Sequence, residues 1–264
     1  MKNFLVMTDI EGVTGVTTFS EAESSQFGKD MLMNDLNAVL NGIWQAGGKA
    51  IVYDMHTDGR NVDLSSLYST PVVRGKPILE KKWRGIGTEG IDGLFMVGLH
   101  TMQHTGALLA HSYLREYDTI HLNGILVGEI GMEAALAGAG GVPLKFVSAD
   151  DAGCREAEAL IPEVVTCAVK KSLGDDTAIC YPPKMTEGML TKAAKEAALK
   201  EIPTFKVEPP YEIKIKFSKC SYLNTMKTIH PEIFENEDTV VMRGDDLLKV
   251  WSEYLKYEKE MVTK

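Results

Sequence analysis

Apolar positions in the first two thirds of the chain fall into short continuous runs separated by longer stretches with helical spacing. Phe4-Leu5-Val6-Met7 is the first such run, and its unbroken apolar character predicts a strand covered on both faces. Met31, Leu32, Leu36, Val39, Leu40 and Ile43 recur on one helical face, which predicts a helix over 30–46 ended by Gly47-Gly48. Further strands are predicted at 50–53, 94–99, 119–122, 144–147 and 164–169, with helices at 132–139 and 155–160. Strand and helix alternating at this spacing predict an α/β fold, a mainly parallel sheet flanked by helices.

Beyond Tyr181-Pro182-Pro183 the pattern changes. Leu190, Ala193, Ala194, Ala197 and Ala198 predict an Ala-rich helix over 189–198. Tyr211-Glu212-Ile213-Lys214-Ile215-Lys216-Phe217 alternates strictly, the signature of a strand with one apolar and one charged face. A strand at 239–242 and a closing helix at 245–257 follow. This change predicts an α/β domain over 1–185 and a smaller α+β part over 186–264.

Composition narrows the class. Of 264 residues, 44% are hydrophobic and 25% charged, the balance of a globular chain and not of a disordered one. The 28 basic and 37 acidic residues leave a net charge of −9, which disfavours a nucleic-acid backbone as partner. No apolar run approaches the roughly 18–20 residues that span a bilayer, and the run at 4–7 is too short for a secretory signal. The expectation is a cytoplasmic protein with no membrane partner. Cys154, Cys167, Cys180 and Cys220 form no C-x-x-C pair, so neither a thiolate zinc site nor a disulfide scaffold is predicted.

In open α/β sheets ligands bind beyond the carboxyl ends of the strands. Asp9 and Glu11 follow the first predicted strand, and alternate residues of an extended segment point to the same side. Asp54 and His56 follow the second, His100 ends the third, and Glu129 lies beyond the fourth. Three carboxylates (Asp9, Glu11, Glu129) and two imidazoles thus gather at one sheet edge. Such a donor set suits zinc or a similar divalent ion, and with one bridging carboxylate it holds two ions about 3.5–4 Å apart. His100 and His104 have H-x-x-x-H spacing, but Thr101 stands where the helical zinc motif carries Glu. His121 and His230 read as structural or exposed, and Asp150-Asp151 as a helix cap.

These residues also form an ordered set of motifs. Thr8-Asp9-Ile10-Glu11-Gly12-Val13-Thr14-Gly15 resembles the opening of the DppA-type D-aminopeptidases, peptidase family M55. The resemblance continues through Asp54-Met55-His56 with Arg60-Asn61, Gly98-Leu99-His100 and His111-Ser112-Tyr113. It runs on through Asn123-Gly124, Gly128-Glu129, Val169-Lys170-Lys171 and Pro182-Pro183. It implies a two-zinc aminopeptidase that releases N-terminal D-residues from short peptides or amino-acid amides, with Mn²⁺ or Co²⁺ as possible substitutes for Zn²⁺. By motif match Asp9 bridges the metals, Glu11, His56, His100 and Glu129 complete the ligand set, and His111 is the catalytic histidine. The resemblance further implies a homo-oligomer, a decamer of two stacked rings. Thr57 departs from the pattern, since a Gly commonly follows the metal histidine, and His104 stands where a small residue is usual. Two other classes compete. Asp9 as nucleophile with Gly244-Asp245-Asp246 resembles a Mg²⁺-dependent haloacid-dehalogenase-like phosphatase, a reading that leaves the histidines and Glu129 without duties. A non-catalytic oligomeric binding protein is the other, and the intact ligand set argues against it.

Overall fold

The computed structural model, which describes residues 1–67, 69–76 and 82–262, turns the first apolar run into β1 (Asn3–Thr8). The chain continues through α1 (Phe19–Ser24), α2 (Gln26–Gln45), β2 (Lys49–Asp54), β3 (Val72–Val73), β4 (Gly93–Val97), β5 (Tyr117–Leu122) and β6 (Ile125–Leu126). Next come α3 (Glu129–Ala139), β7 (Leu144–Asp150), α4 (Asp151–Leu160), β8 (Val165–Gly174) and β9 (Thr177–Cys180). The last stretch holds α5 (Pro183–Leu199), β10 (Tyr211–Phe217), α6 (Ser221–Ile229), β11 (Thr239–Gly244) and α7 (Leu247–Val262).

Seven strands form one sheet in the order β3-β2-β1-β4-β7-β8-β9, parallel throughout except for the β9 edge. Every residue of β4 and β7 is buried, as expected for central parallel strands covered on both faces. The α5 helix packs on α2, β7 and β8, while α4 packs on β7 and β8. The α2–α5 contact is close at Gly42, where a Cβ would lie 2.4 Å from the Thr191 carbonyl oxygen.

The remaining strands make a separate antiparallel sheet, β11-β10-β5-β6, with α7 packed on β10 and β11. β10 buries Tyr211, Ile213, Ile215 and Phe217 and leaves the residues between them at least partly exposed, as its alternation requires. One expectation is corrected here. The strand predicted at 119–122 lies in this second sheet and not in the parallel one. Tyr117, Ile120 and Leu122 are buried while Asp118, Thr119 and His121 stay partly exposed, which suits a half-covered strand. Asn123 and Gly124, at φ 49° and 80°, then turn the chain straight back, the backbone that a two-residue hairpin turn needs.

Two features set the edge that carries the candidate residues. The Asp9–Gly12 loop lies directly against the Gly98–Leu99 loop, with Asp9 N–H donating to Val97 O and Gly12 N–H to Gly98 O, both at 2.8 Å. A Cβ on Gly12 would sit 1.7 Å from Leu99 O, so only glycine permits this approach. The second feature is Lys170 of β8, which is fully buried. Its ammonium donates to the carbonyls of Glu11, Val13 and Val16 at 2.6, 2.9 and 2.5 Å, pinning the loop from below. Lys170→Met keeps the stem but removes the donor to three buried carbonyls, of which Val13 O alone keeps another partner in Val16 N–H, so the expected loss in urea unfolding is about 2–4 kcal/mol. A loss below about 1 kcal/mol would show that the loop does not depend on this ammonium.

Candidate metal centre

Each predicted ligand reaches the centre on a differently built support. Asp9 and Glu11 follow β1 on the loop fixed by Gly12 and Lys170. His56 follows β2 on a turn organised by Asp54, which is no part of the ligand cluster. Its buried carboxylate accepts the amides of Asn61 and Val62 at 2.5 and 2.9 Å, and Asn61 Nδ2 donates to His56 O at 2.9 Å. Thr57 has φ 45°, a left-handed backbone that glycine adopts freely and a β-branched residue adopts under strain. His100 follows β4, and Glu129 opens α3, reached from the β5–β6 hairpin of the second sheet. The centre therefore draws on both sheets, not on one edge of one sheet.

His111 comes from the long segment between β4 and β5. Its ring stacks on His100 with centroids 3.9 Å apart and planes within 8°, and Phe19 meets it in an edge arrangement at 5.4 Å. A carbonyl can only accept, so His111 Nδ1 donates to Leu109 O at 2.9 Å and a neutral ring keeps its lone pair on Nε2. Nε2 lies 4.0 Å from Glu129 Oε1. His100 Nδ1 likewise donates to Thr101 O at 3.1 Å, leaving Nε2 directed at the carboxylates.

Asp9 is the hub. His56 Nδ1 lies 2.9 Å from its Oδ1 and 3.2 Å from Glu11 Oε2, while His100 Nε2 lies 3.4 Å from its Oδ2 and 3.2 Å from Glu129 Oε1. Two triads of donor atoms result, Asp9–Glu11–His56 and His100–His111–Glu129, each within 4.8 Å and all buried. Burial opposes charge throughout, yet contacts with His100 and His56 outweigh it at Asp9 and hold its carboxyl well below the usual range. Glu129 is lowered by His100 against the same burial penalty. Conversely, Asp9 and Glu11 push His56 up to about 10, and Glu129 with Asp9 pushes His100 well above its ordinary value, both against burial. His111 moves the other way, lowered by burial and by the neighbouring His100 charge. Glu11 Oε2, His56 Nε2 and His100 Nε2 are buried without a properly aligned hydrogen bond. Buried anions, unsatisfied donor atoms and imidazoles carrying protons between them fit divalent cations, which meet the same demand for positive charge and displace those protons.

The other candidates lie elsewhere. His104 is exposed and pairs with Asp118 at 2.6 Å. His230 sits between Glu232 and Glu260, and His121 is a β5 residue paired across to β6. Asp150 caps α4 through Gly153 N–H at 2.9 Å. Asp246 accepts from Lys249 N–H at the start of α7, so the second acidic motif of the phosphatase reading is a helix cap. Sequence reasoning gave no role to two acidic residues that hold the centre together. Glu156 accepts from Thr101 Oγ1 and the Met102 amide at 3.0 and 2.7 Å, and its Oε1 would lie 2.7 Å from a Cβ on Gly128. Glu133, fully buried, stands one helical turn after Glu129. For Glu133 the available signal was a carboxylate in a helix that is apolar or small apart from Glu129, whereas α4 also carries Asp151, Arg155 and Glu158 and gave no such signal for Glu156.

A cavity of about 450 Å³ is lined by Phe19, Gln103, His104, Ala107, Leu109, Ala110 and Asp175 among others, residues that include the ring partner and the chain neighbour of His111 but none of the two triads. Among the described residues, no helix is long and apolar enough to cross a membrane. The D-aminopeptidase of Bacillus subtilis (strain 168) is 26% identical, over 94% of this chain and 93% of that protein. A solved structure described as the Zn-dependent D-aminopeptidase DppA from Bacillus subtilis, a self-compartmentalizing protease, superposes with a TM-score of 0.89. It is 22% identical, covering 100% of this chain and 99% of that one, and so establishes the shared fold. The sequence profile of the peptidase M55 family, D-aminopeptidase, matches residues 1–254, and the chain belongs to that family.

Proposed function

We propose that the protein is a two-zinc aminopeptidase acting on short peptides or amino-acid amides with a free amino terminus and an N-terminal D-residue. The observation that carries this reading is the pair of buried donor triads meeting at Asp9. Asp9 would bridge two ions, with Glu11 and His56 on one side and His100 and Glu129 on the other. Oxygen and imidazole donors of this kind suit zinc and also accept Mn²⁺ or Co²⁺. When bound, the ions lower the pKa of water and polarise the scissile carbonyl.

The chain's own residues supply the rest. The Leu109 carbonyl holds His111 Nδ1 as the donor, so the neutral ring offers Nε2 to accept a proton from the attacking water and return it to the leaving amine. Contacts with the Phe19 and His100 rings and the bond to Leu109 O hold the imidazole in place for that transfer. Assembly follows the same reading: a homo-oligomer, by likeness to the self-compartmentalizing relative, with a decamer as its form. Ile125 and Leu126, both exposed on the edge strand β6, are consistent with a contact between copies.

Two experiments test this. Parallel assays of D-Ala and L-Ala amides and dipeptides with added zinc should show hydrolysis of the D-forms. Preferential cleavage of the L-forms overturns the stereochemical part alone, and no cleavage of any free-amine substrate overturns the function. His111→Ala should lower kcat by about 10²-fold or more with zinc content unchanged. Loss of a zinc ion from that variant would instead make His111 a ligand, the role its place in the second triad permits.

A further inference from the structure

Behind Glu129 lies a buried polar network that the proposed chemistry does not use. Glu133 accepts from four donors: the Arg84 guanidinium through Nη2 and through Nε at 3.1 Å, Trp83 Nε1 at 3.3 Å, and the Tyr113 hydroxyl at 3.1 Å. Arg84 also lies over the Tyr53 ring, 5.1 Å from its centroid, and Tyr53 directly precedes Asp54, the residue that shapes the His56 turn. Tyr113 closes the loop. Its hydroxyl is held by Glu133 while its backbone N–H donates to Glu129 Oε1 at 2.8 Å.

Glu129 and Glu133 are four residues apart on α3, so their side chains project from the same face. Tyr113 therefore spans one helical turn, anchored by its hydroxyl at one end and clamping a ligand carboxylate at the other. The arrangement is costly. Arg84 and Tyr113 have φ 50° and 61°, left-handed values for residues with large side chains. A buried ion pair also adds little stability compared with an apolar pair of the same size. Strain and desolvation gathered behind one ligand point to orientation of that ligand.

Resting on the two-ion reading, we infer that Glu133, fixed by Arg84 and acting through Tyr113, is a positioning residue that sets the Glu129 carboxylate and thereby the retention of the ion held by His100 and Glu129. Tyr113→Phe is the deciding variant. It removes the hydroxyl link to Glu133 but keeps the backbone N–H and the ring that packs 5.1 Å from Trp251.

The experiment titrates zinc-loaded protein with a chelator while following zinc release and far-ultraviolet circular dichroism. Wild type should release two ions per chain. Tyr113→Phe, with an unchanged spectrum, should release one of them at a chelator concentration about tenfold lower or less. Excess zinc should restore kcat with KM unchanged, a rescue that a general packing defect would not show. Glu133→Gln should weaken the same ion by a larger factor. Release curves for Tyr113→Phe that superimpose on wild type, or equal weakening of both ions, overturn the inference. Wild-type protein that takes up fewer than two ions overturns the two-ion reading itself, and the inference with it.

Discussion

Asp9, Glu11 and Glu129 bring three carboxylates into a volume from which water is almost excluded, and the surrounding structure answers the demand for positive charge that this creates. The imidazoles of His56 and His100 stand between the carboxylates and hold protons there, well beyond their ordinary basicity. A folded chain tolerates such a cluster only when cations are bound or protons are shared. Elsewhere in the core the same acids would move toward neutrality, as Asp35 and Glu156 do, their pKa values raised by burial. The position of the cluster, beyond the carboxyl ends of parallel strands, is where α/β sheets present loops able to carry it.

Bringing five candidate ligands together from four segments requires backbone precision, and the chain spends its unusual residues there. Gly12 lets two loops touch main chain to main chain. Lys170 replaces water as the donor to three loop carbonyls. Asp54 organises the His56 turn, and Glu156 ties down the residues after His100. None of these four touches the triads as a donor of the cluster, yet each fixes a segment that does. The second sheet contributes as well, because its β5–β6 hairpin delivers α3 with Glu129 at the first position.

Much of this was legible in the sequence. Unbroken apolar runs marked β1, β4 and β7 because strands buried on both faces have no polar side to show, and strict alternation marked β10 because it has one. Asp9, Glu11, His56 and His100 were readable as candidates because polar residues just after strand ends have few structural reasons to cluster, whereas Glu129 was placed there through a strand assigned to the wrong sheet and through its motif. The sheet membership of β5 was missed although Thr119-Ile120-His121-Leu122 alternates as β10 does, because four residues of alternation are too few to overrule the surrounding strand–helix rhythm. The Asn123-Gly124 turn was the local clue to its hairpin. Glu133, Glu156 and Lys170 were obscured for another reason. Their importance lies in bonds to backbone and side chains far along the chain, and spacing does not encode those partners.

The central claim is that two divalent ions share Asp9. Diffraction from crystals of the zinc-loaded protein, measured on either side of the zinc absorption edge, tests it directly. The account predicts two anomalous peaks per chain, one in contact with Glu11 and His56, one with His100 and Glu129, and both in contact with Asp9. A single peak, or two peaks of which one lies away from Asp9, would contradict it.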